Sequence, residues 1–413
     1  MAAGSIACVD IGSSKICTVV ANVSDGRIVE VLSVGNATSR GVQKGIVVDI
    51  DDATIAIRES LENAEAGAVK VESALVGFCG KHISSTNPMV SADTHRRDHL
   101  VTDDAMEESW KKIYDVVFPE DRVKVNVLPR QWALDRVGGI RNPRGMHGFR
   151  LDLEAHIVTA DFGYMENLLT CLKRAGVNVS LRNCVANPLA SGESVLEPED
   201  KERGVILADI GGGTTGIAVY RDGTPWHTSA LPVGGRQITN DLAVGLSIPF
   251  SAAEELKVRS GTLYPEEMQD TRTEFLSKYN TSPEELSYII RARVEEILRM
   301  IVSKSPYVPN VLVLTGGTAD IPGMEQFARE VLGLQVRVGV PTNLPQGGDA
   351  LNDPAYAAVV GLLLWGAELG AVGERRAEVG GVGGFLAGLR STLGTIWERR
   401  PRISLAGPPP KEG

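Results

Sequence analysis

The chain alternates short apolar runs that stop at glycine with longer stretches whose apolar residues fall at helical spacing, the pattern of a layered α/β protein. Strands are predicted over 6–9, 16–20 and 26–34, then a helix over 52–66 with Ile55, Leu61 and Ala64 on one face, then a strand over 71–77. From 84 to 159 the pattern turns more polar: a helix over 103–117 carries Met106, Trp110 and Ile113 at core spacing, and strands over 124–128 and 151–159 flank a glycine- and arginine-rich connection, 134–148. This stretch reads as a small α+β insertion. A helix over 164–175 follows, and residues 177–184 lead into a helix over 187–196 whose small residues permit close packing. Further helices are predicted from 251, over 283–303 and from 353, with a strand over 310–314. The last helix also carries Ala and Gly on its packing face, so the two small-residue helices can cross at a hinge.

One segment of this pattern carries chemistry. The apolar run 205–208 ends in Asp209, passes through Gly211, Gly212 and Gly213 to Thr214 and Thr215, and departs as a second apolar run. Glycines let backbone N–H groups approach phosphate oxygens, the threonines add hydroxyl donors, and an acid at the strand end can hold hydrated Mg²⁺. A single stretch of this kind also fits an ordinary glycine hairpin. The design is repeated, however, at Asp10, Gly12, Ser13 and Ser14, with Lys15 adding a positive charge. Facing copies can grip a nucleotide's phosphates from both sides. Two more glycine pairs end apolar runs: Gly234 and Gly235 precede a helix, an anion-friendly terminus or a plain turn, and Gly316 and Gly317 suit close approach to a flat base. Glu254 and Lys257 share a helix face, within reach of a ribose or of each other.

Composition narrows the reading. With 413 residues the chain is long enough for more than one domain, and a net charge of −10 gives no overall attraction to nucleic acid. Cys8, Cys17, Cys79, Cys171 and Cys184 show no CxxC spacing, so neither a zinc site nor a disulfide scaffold is expected, and a reducing cytoplasm is. His147 and His156 lack a third ligand at metal spacing and are expected in packing or surface roles. The apolar run 355–367 is interrupted by Gly361 and Gly366 and is too short for a bilayer, so any membrane contact is expected to be peripheral.

The ordered set of hairpin at Asp10, helix at Asn187, hairpin at Asp209, glycine pair at Gly316 and helix at Ala355 resembles the actin, sugar kinase and heat-shock ATPase superfamily. Within it, residues 41–49, 127–129, 139–146, 231–235 and 238–241 are similar to the bacterial cell-division FtsA family, although Asn126 and Arg130 stand where that family usually has His and Gln. The resemblance implies an actin-like two-lobed fold, two ribonuclease H-like domains with the α+β insertion replacing an actin subdomain. On that plan, 1–83 and 160–203 form the core of lobe I, 84–159 the insertion, 204–235 and 303–370 the core of lobe II, and 236–302 its small subdomain. It further implies ATP and Mg²⁺ between the lobes with slow or weak ATPase activity at most, and self-assembly into a filament. The implied partners are an FtsZ-like tubulin homologue at the small subdomain and later division proteins at the insertion.

The end of the chain adds a surface function. After a glycine-rich stretch, 371–383, read as a flexible linker, Phe385, Leu386, Leu389, Leu393, Ile396 and Trp397 recur at helical spacing with Arg390, Arg399 and Arg400 beside them. This is the pattern of an interfacial helix over 384–400 facing anionic lipid, or of a last helix docked on the body; residues 401–413 read as a disordered tail. FtsA-like proteins use such a tail as an anchor, and the resemblance therefore implies a place on the cytoplasmic face of the membrane at the division site. Two alternatives share the superfamily: a pilus-assembly actin-like protein, and a sugar or small-molecule kinase. A heat-shock chaperone is disfavoured because no substrate-binding domain follows Gly361.

Overall fold

Strand β1 (Gly4–Ile11) leads an antiparallel meander with β2 (Lys15–Ser24) and β3 (Arg27–Thr38) in a computed structural model that describes residues 4–377 except 25, 68–69, 95–97, 268–274 and 343. A small hairpin of β4 (Val42–Gln43) and β5 (Ile46–Val47) follows. Helix α1 (Ile50–Glu65) starts at Asp49, whose carboxylate accepts from the Asp52 N–H at 2.9 Å, and β6 (Leu75–Phe78) then pairs in parallel with β1. Alternation along β1 sends Val9 and Ile11 to the face covered by Ala53, Ile57 and Leu61 of α1, and Cys8 to the other.

The insertion is a second layer built on this lobe. Strands β7 (Ser84–Thr86) and β8 (Met89–Asp93), helix α2 (Asp103–Tyr114), and strands β9 (Arg122–Leu134), β10 (Val137–Ile140) and β11 (Arg150–Asp161) form a sheet of order β10-β9-β11-β7, with β8 also on β11. Trp110 and Ile113 of α2 pack with Trp132, Leu151 and Leu153, and Met106 lies against the same cluster, so the helical spacing did mark core. The far end of β11 continues into lobe I, where Val158 and Ala160 join the core beneath α1.

Helix α3 (Phe162–Arg174) covers that core, and β12 (Cys184–Ala186) completes a five-stranded sheet of order β12-β6-β1-β2-β3. After α4 (Asn187–Val195) and α5 (Pro198–Arg203), strands β13 (Val205–Ile210), β14 (Thr215–Arg221) and β15 (Thr224–Leu231) form a second meander. Helices α6 (Gly235–Gly245), α7 (Phe250–Ser260) and α8 (Pro283–Lys304) precede β16 (Val311–Thr315), α9 (Met324–Leu332) and β17 (Gln335–Val338). The sheet order β15-β14-β13-β16-β17 repeats the first: a three-strand meander, then two parallel strands beyond its first member. The hairpin repeat seen in the sequence is therefore the visible part of a duplicated domain.

Helix α10 (Ala357–Ala377) departs from the expected plan in two ways. Its Val359, Val360, Leu362 and Leu363 pack on Cys8, Val19 and Ala21, so the end of 303–370, expected in lobe II, belongs by packing to lobe I. The helix also runs to Ala377, into the stretch read as a linker, because Ala, Glu and Arg sustain a helix through isolated glycines. Helix α4 faces lobe II, with Val195 beside Leu207, Ala218 and Tyr220. The two helices cross closely, since a Cβ on Gly361 would lie 1.8 Å from the Ala190 carbonyl oxygen; a Cβ on Gly192 would lie 2.3 Å from the Tyr220 hydroxyl, so α4 is set equally close against β14 of lobe II. Residues 384–400, with Phe385, Leu386, Leu389, Arg390, Leu393, Ile396, Trp397, Arg399 and Arg400, lie outside the described residues.

The insertion also reaches the other lobe. His156 of β11 bonds Asn87 Oδ1 through Nδ1 at 2.7 Å and Thr228 Oγ1 of β15 through Nε2 at 2.9 Å; Asn87 Nδ2 donates to the Trp226 carbonyl at 2.8 Å. Asn87 Oδ1 can only accept, so His156 carries a proton on Nδ1; with the ring neutral, Thr228 donates to Nε2. Burial, with Arg130 and His227 nearby, pushes its pKa down to about 3. The Thr228 N–H donates to Ser85 Oγ at 2.7 Å, completing a polar clasp between insertion and lobe II. His156 is thus a packing residue, and no group of three or more His, Cys, Asp or Glu side chains placed to hold a metal ion occurs among the described residues.

Candidate functional site

The duplicated meanders bring their turns face to face. In each, the turn closes through one backbone bond, Gly12 N–H to Lys15 O at 3.1 Å and Gly211 N–H to Thr214 O at 2.9 Å. Cβ atoms built on Gly212 and Gly213 would lie 2.0 Å from Ser14 Oγ and 2.6 Å from Ser13 Cβ, so only glycine lets the turns meet. Arg236 of α6 crosses the seam, donating from Nη1 to the Ser13 carbonyl at 3.3 Å.

An acid stands behind each turn. Asn187 Nδ2, at the start of α4, donates to Asp10 Oδ1 at 2.8 Å, and Ser191 Oγ, one turn later, donates to Asp209 Oδ2 at 2.6 Å. The neighbouring parallel strand leaves room for each carboxylate by offering glycine. Gly77 of β6 stands in register with Asp10, and Gly316, with φ of +86°, follows β16 beside Asp209, where a Cβ would lie 2.4 Å from Oδ1. Both acids are largely withdrawn from water while keeping some solvent access. Burial pushes the Asp10 pKa up, opposed by the Asn187 hydrogen bond and the Lys15 charge. Burial pushes Asp209 up to about 6, with the Ser191 bond and Lys15 opposing and Asp10 repulsion adding.

The remaining site residues surround this pair. Lys15 donates from Nζ to the Ala355 carbonyl at 3.3 Å and sits 3.5 Å above the Tyr356 ring. The Gly235 and Arg236 N–H groups, the first of α6, bond the carbonyls of Gly211 and Gly212 at 2.9 and 2.8 Å, and Gly234 N–H is taken by Gln237 Oε1 at 2.8 Å. Thr318, after Gly316 and Gly317, donates from Oγ1 to the Gly211 carbonyl at 3.0 Å. Lys257 Nζ bonds Glu254 at 2.8 Å, Thr239 Oγ1 at 2.9 Å and the Gly235 carbonyl at 3.2 Å, so Glu254 and Lys257 form an ion pair with each other beside the glycines. Thr214 is buried with its side chain against Cys79, and the Thr215 hydroxyl donates into the sheet, to the Val233 carbonyl at 2.9 Å. Asp10, Asp209, both turns and both glycine pairs therefore converge. Asn187, Ser191, Arg236 and Thr318 were missed as site residues; only the Asn-Pro start of a small-residue helix hinted at the first.

The insertion positions the same centre at one remove. Asn126 of β9 donates to the Cys184 carbonyl at 3.1 Å and accepts from Ala186 N–H at 3.1 Å, fixing β12, the strand that leads into Asn187. Arg130 is buried in an ion pair with Glu154 at 2.7 Å. These two departures from the usual family residues thus carry structural roles.

Comparison with known proteins accords with this architecture. Residues 80–159 match the family described as "SHS2 domain inserted in FTSA", and 206–361 match "Cell division protein FtsA". Over 370 residues, 86% of this chain and 89% of the relative, the sequence is 33% identical to cell division protein FtsA of Borreliella burgdorferi. This chain belongs to the FtsA family. The FtsA of Pseudomonas aeruginosa is 34% identical over 370 residues, 86% of this chain and 88% of that protein. The FtsA of Bacillus subtilis is 33% identical over 368, with 86% and 81% covered.

Solved structures agree in fold at lower identity. A chain of the PilM-PilN type IV pilus biogenesis complex superposes with a TM-score of 0.58 at 19% identity, covering 88% of this chain and 98% of that one. MreB5 of Spiroplasma citri bound to ADP superposes with a TM-score of 0.50 at 12% identity, covering 91% and 99%. The FtsA family thus has here an actin-like two-lobed fold with the insertion subdomain in lobe I, and family membership displaces the pilus-assembly and kinase alternatives.

Proposed function

We propose that this FtsA-family chain binds MgATP between its lobes and tethers a filament of an FtsZ-like tubulin homologue to the cytoplasmic face of the membrane at the division site. The observation that carries the nucleotide reading is the pair of acid-and-glycine turns set face to face, at Asp10 with Gly12, Ser13 and Ser14 and at Asp209 with Gly211 to Thr214. Two neighbouring carboxyl groups whose pKa values are raised by burial are held at a cost that a divalent cation would relieve. Their hard oxygen donors suit Mg²⁺ held through its waters, and Asn187 Oδ1, buried without a hydrogen bond, leaves an acceptor for one such water. Phosphates take the place of the Ser13 and Gly213 contact, with Lys15 supplying charge from beside the seam. Gly234, Gly235, Glu254, Lys257, Gly316 and Gly317 frame the nucleoside. An amide such as Asn187 orients water but cannot take its proton, which fits slow turnover at most.

Assembly and recruitment follow from the family. The small subdomain, 236–302, takes the FtsZ-like partner, the insertion, 84–159, later division proteins, and copies of the chain associate as a filament. Anchoring rests on the amphipathic pattern of 384–400, since no described helix is long and apolar enough to cross a membrane. Co-sedimentation with phosphatidylglycerol vesicles tests it, comparing the full chain with one ending at Ala377, which keeps α10 whole. The full chain is expected to pellet with the vesicles and the shortened chain to stay in solution. Equal binding by both would remove the tether. Calorimetric titration with MgATP tests the cleft directly.

A further inference from the structure

The single helical turn Pro354–Tyr356, just ahead of α10, is held by both lobes. Its start is stiff: a proline ring fixes φ, and Asp353 Oδ1 accepts from the Ala355 N–H at 2.7 Å. Lobe II grips it through the Gly316 N–H, which donates to the Pro354 carbonyl at 3.1 Å, and a Cβ on Gly317 would stand 3.4 Å from that of Ala355. Lobe I grips it through Asn36 of β3, whose Nδ2 donates to the Tyr356 hydroxyl at 3.3 Å.

This turn receives Lys15. The ammonium donates to the Ala355 carbonyl at 3.3 Å and lies 3.5 Å above the centre of the Tyr356 ring, well inside the range of cation–π attraction. A lysine has three N–H donors on a flexible stem, so a carbonyl and a ring face that engage two of them restrict where the third can point. The charge held in this way opposes the rise in the pKa of both Asp10 and Asp209, which puts it beside the two acids. The Ala355 carbonyl that Lys15 uses follows directly on the residue bonded to Gly316, so a cation of lobe I is registered against the nucleoside rim of lobe II.

We propose that Tyr356 is a positioning residue for Lys15: its ring face, with the Ala355 carbonyl, holds the ammonium so that its third donor meets the phosphates of the nucleotide. This rests on the nucleotide reading of the cleft. The test is titration calorimetry of MgATP with the full chain, with Tyr356→Phe, Tyr356→Leu and Lys15→Met, and with the double variant Lys15→Met plus Tyr356→Leu. Tyr356→Phe keeps the ring face and is expected to keep the affinity. Tyr356→Leu should weaken binding about fivefold, the worth of one cation–π contact, and Lys15→Met about tenfold. The double variant should bind no more weakly than Lys15→Met, because Tyr356 acts through the lysine. Replacing Tyr356 by pentafluorophenylalanine keeps the shape of a ring while reversing the charge of its face, and should cost as much as leucine. Losses that add in the double variant, a phenylalanine variant as weak as the leucine one, no loss with leucine, or full affinity with the fluorinated ring each overturn the positioning role and leave the cleft intact. A wild-type chain that binds no MgATP overturns the cleft reading itself.

Discussion

Replacing Asp209 by Asn should make the nucleotide-free protein more stable while abolishing its Mg²⁺-dependent nucleotide binding. The folded state raises this carboxyl from 3.8 to about 6, chiefly by burial. An acid raised on folding stabilises the protein fully below pH 3.8, and that stabilisation is lost as the pH climbs through about 6, because the folded chain gives up its proton later than the unfolded one. The gap of about two units, at about 1.4 kcal/mol each, sets the cost of the buried charge at neutral pH to at most about 3 kcal/mol, and less to the extent that water reaches the group. Asn is of the same size, can still accept the Ser191 hydroxyl, and carries no charge. Urea unfolding of both proteins, without nucleotide, across pH 4.5 to 8 measures the difference. It should grow in the variant's favour from pH 4.5 to 7 and then level off. A variant less stable than wild type at pH 8, or a difference that does not change with pH, would refute the electrostatic account; retained MgATP affinity would refute the metal role of Asp209.

Gly361→Ala should cost about 3 kcal/mol or more in urea unfolding, since its Cβ would meet the Ala190 carbonyl at 1.8 Å and force α4 from α10; an unchanged midpoint would disprove the close crossing. His156→Ala should cost about 2–4 kcal/mol by stranding Asn87 and Thr228, with faster hydrogen exchange in β7 and β15. Because burial depresses His156 to about 3 and His82 to about 4, the unfolded chain binds protons that the folded one refuses. These histidines therefore make the wild type lose stability as the pH falls below 6.5, and His156→Ala should flatten part of that slope. Arg236→Ala removes the bond from lobe II to the Ser13 carbonyl, and small-angle scattering should show a more open particle without nucleotide.

The acid-and-glycine hairpins were legible because their chemistry is local: strand, acid and turn follow one another, and their repetition exposed the duplication. The partners of the acids were not. Asn187 reaches Asp10 within lobe I and Ser191 reaches Asp209 across the join between the lobes, and no periodicity records which sheet a short helix will face. The stretch 41–49 stood out in the sequence but not as a hairpin, because Lys-Gly is not a dipeptide that favours a type I′ turn; tertiary contacts with Cys79 and Ser13 hold it there. Helix α10 was stopped too early and assigned to the wrong lobe, since composition near its end resembles a linker and an apolar face does not name its partner. The clasp at His156 lay beyond sequence reasoning for the same reason.

The placement of α10 also sets an order of assembly. The second lobe's sheet is drawn from the continuous stretch between Val205 and Val338, so it can form while the ribosome still holds the end of the chain. The first lobe must wait: β12 comes from beyond the insertion, and the face carrying Cys8, Val19 and Ala21 is covered only when Val359 to Leu363 emerge. Until then that apolar face is open, a hazard for a nascent chain and a natural point for a chaperone to hold.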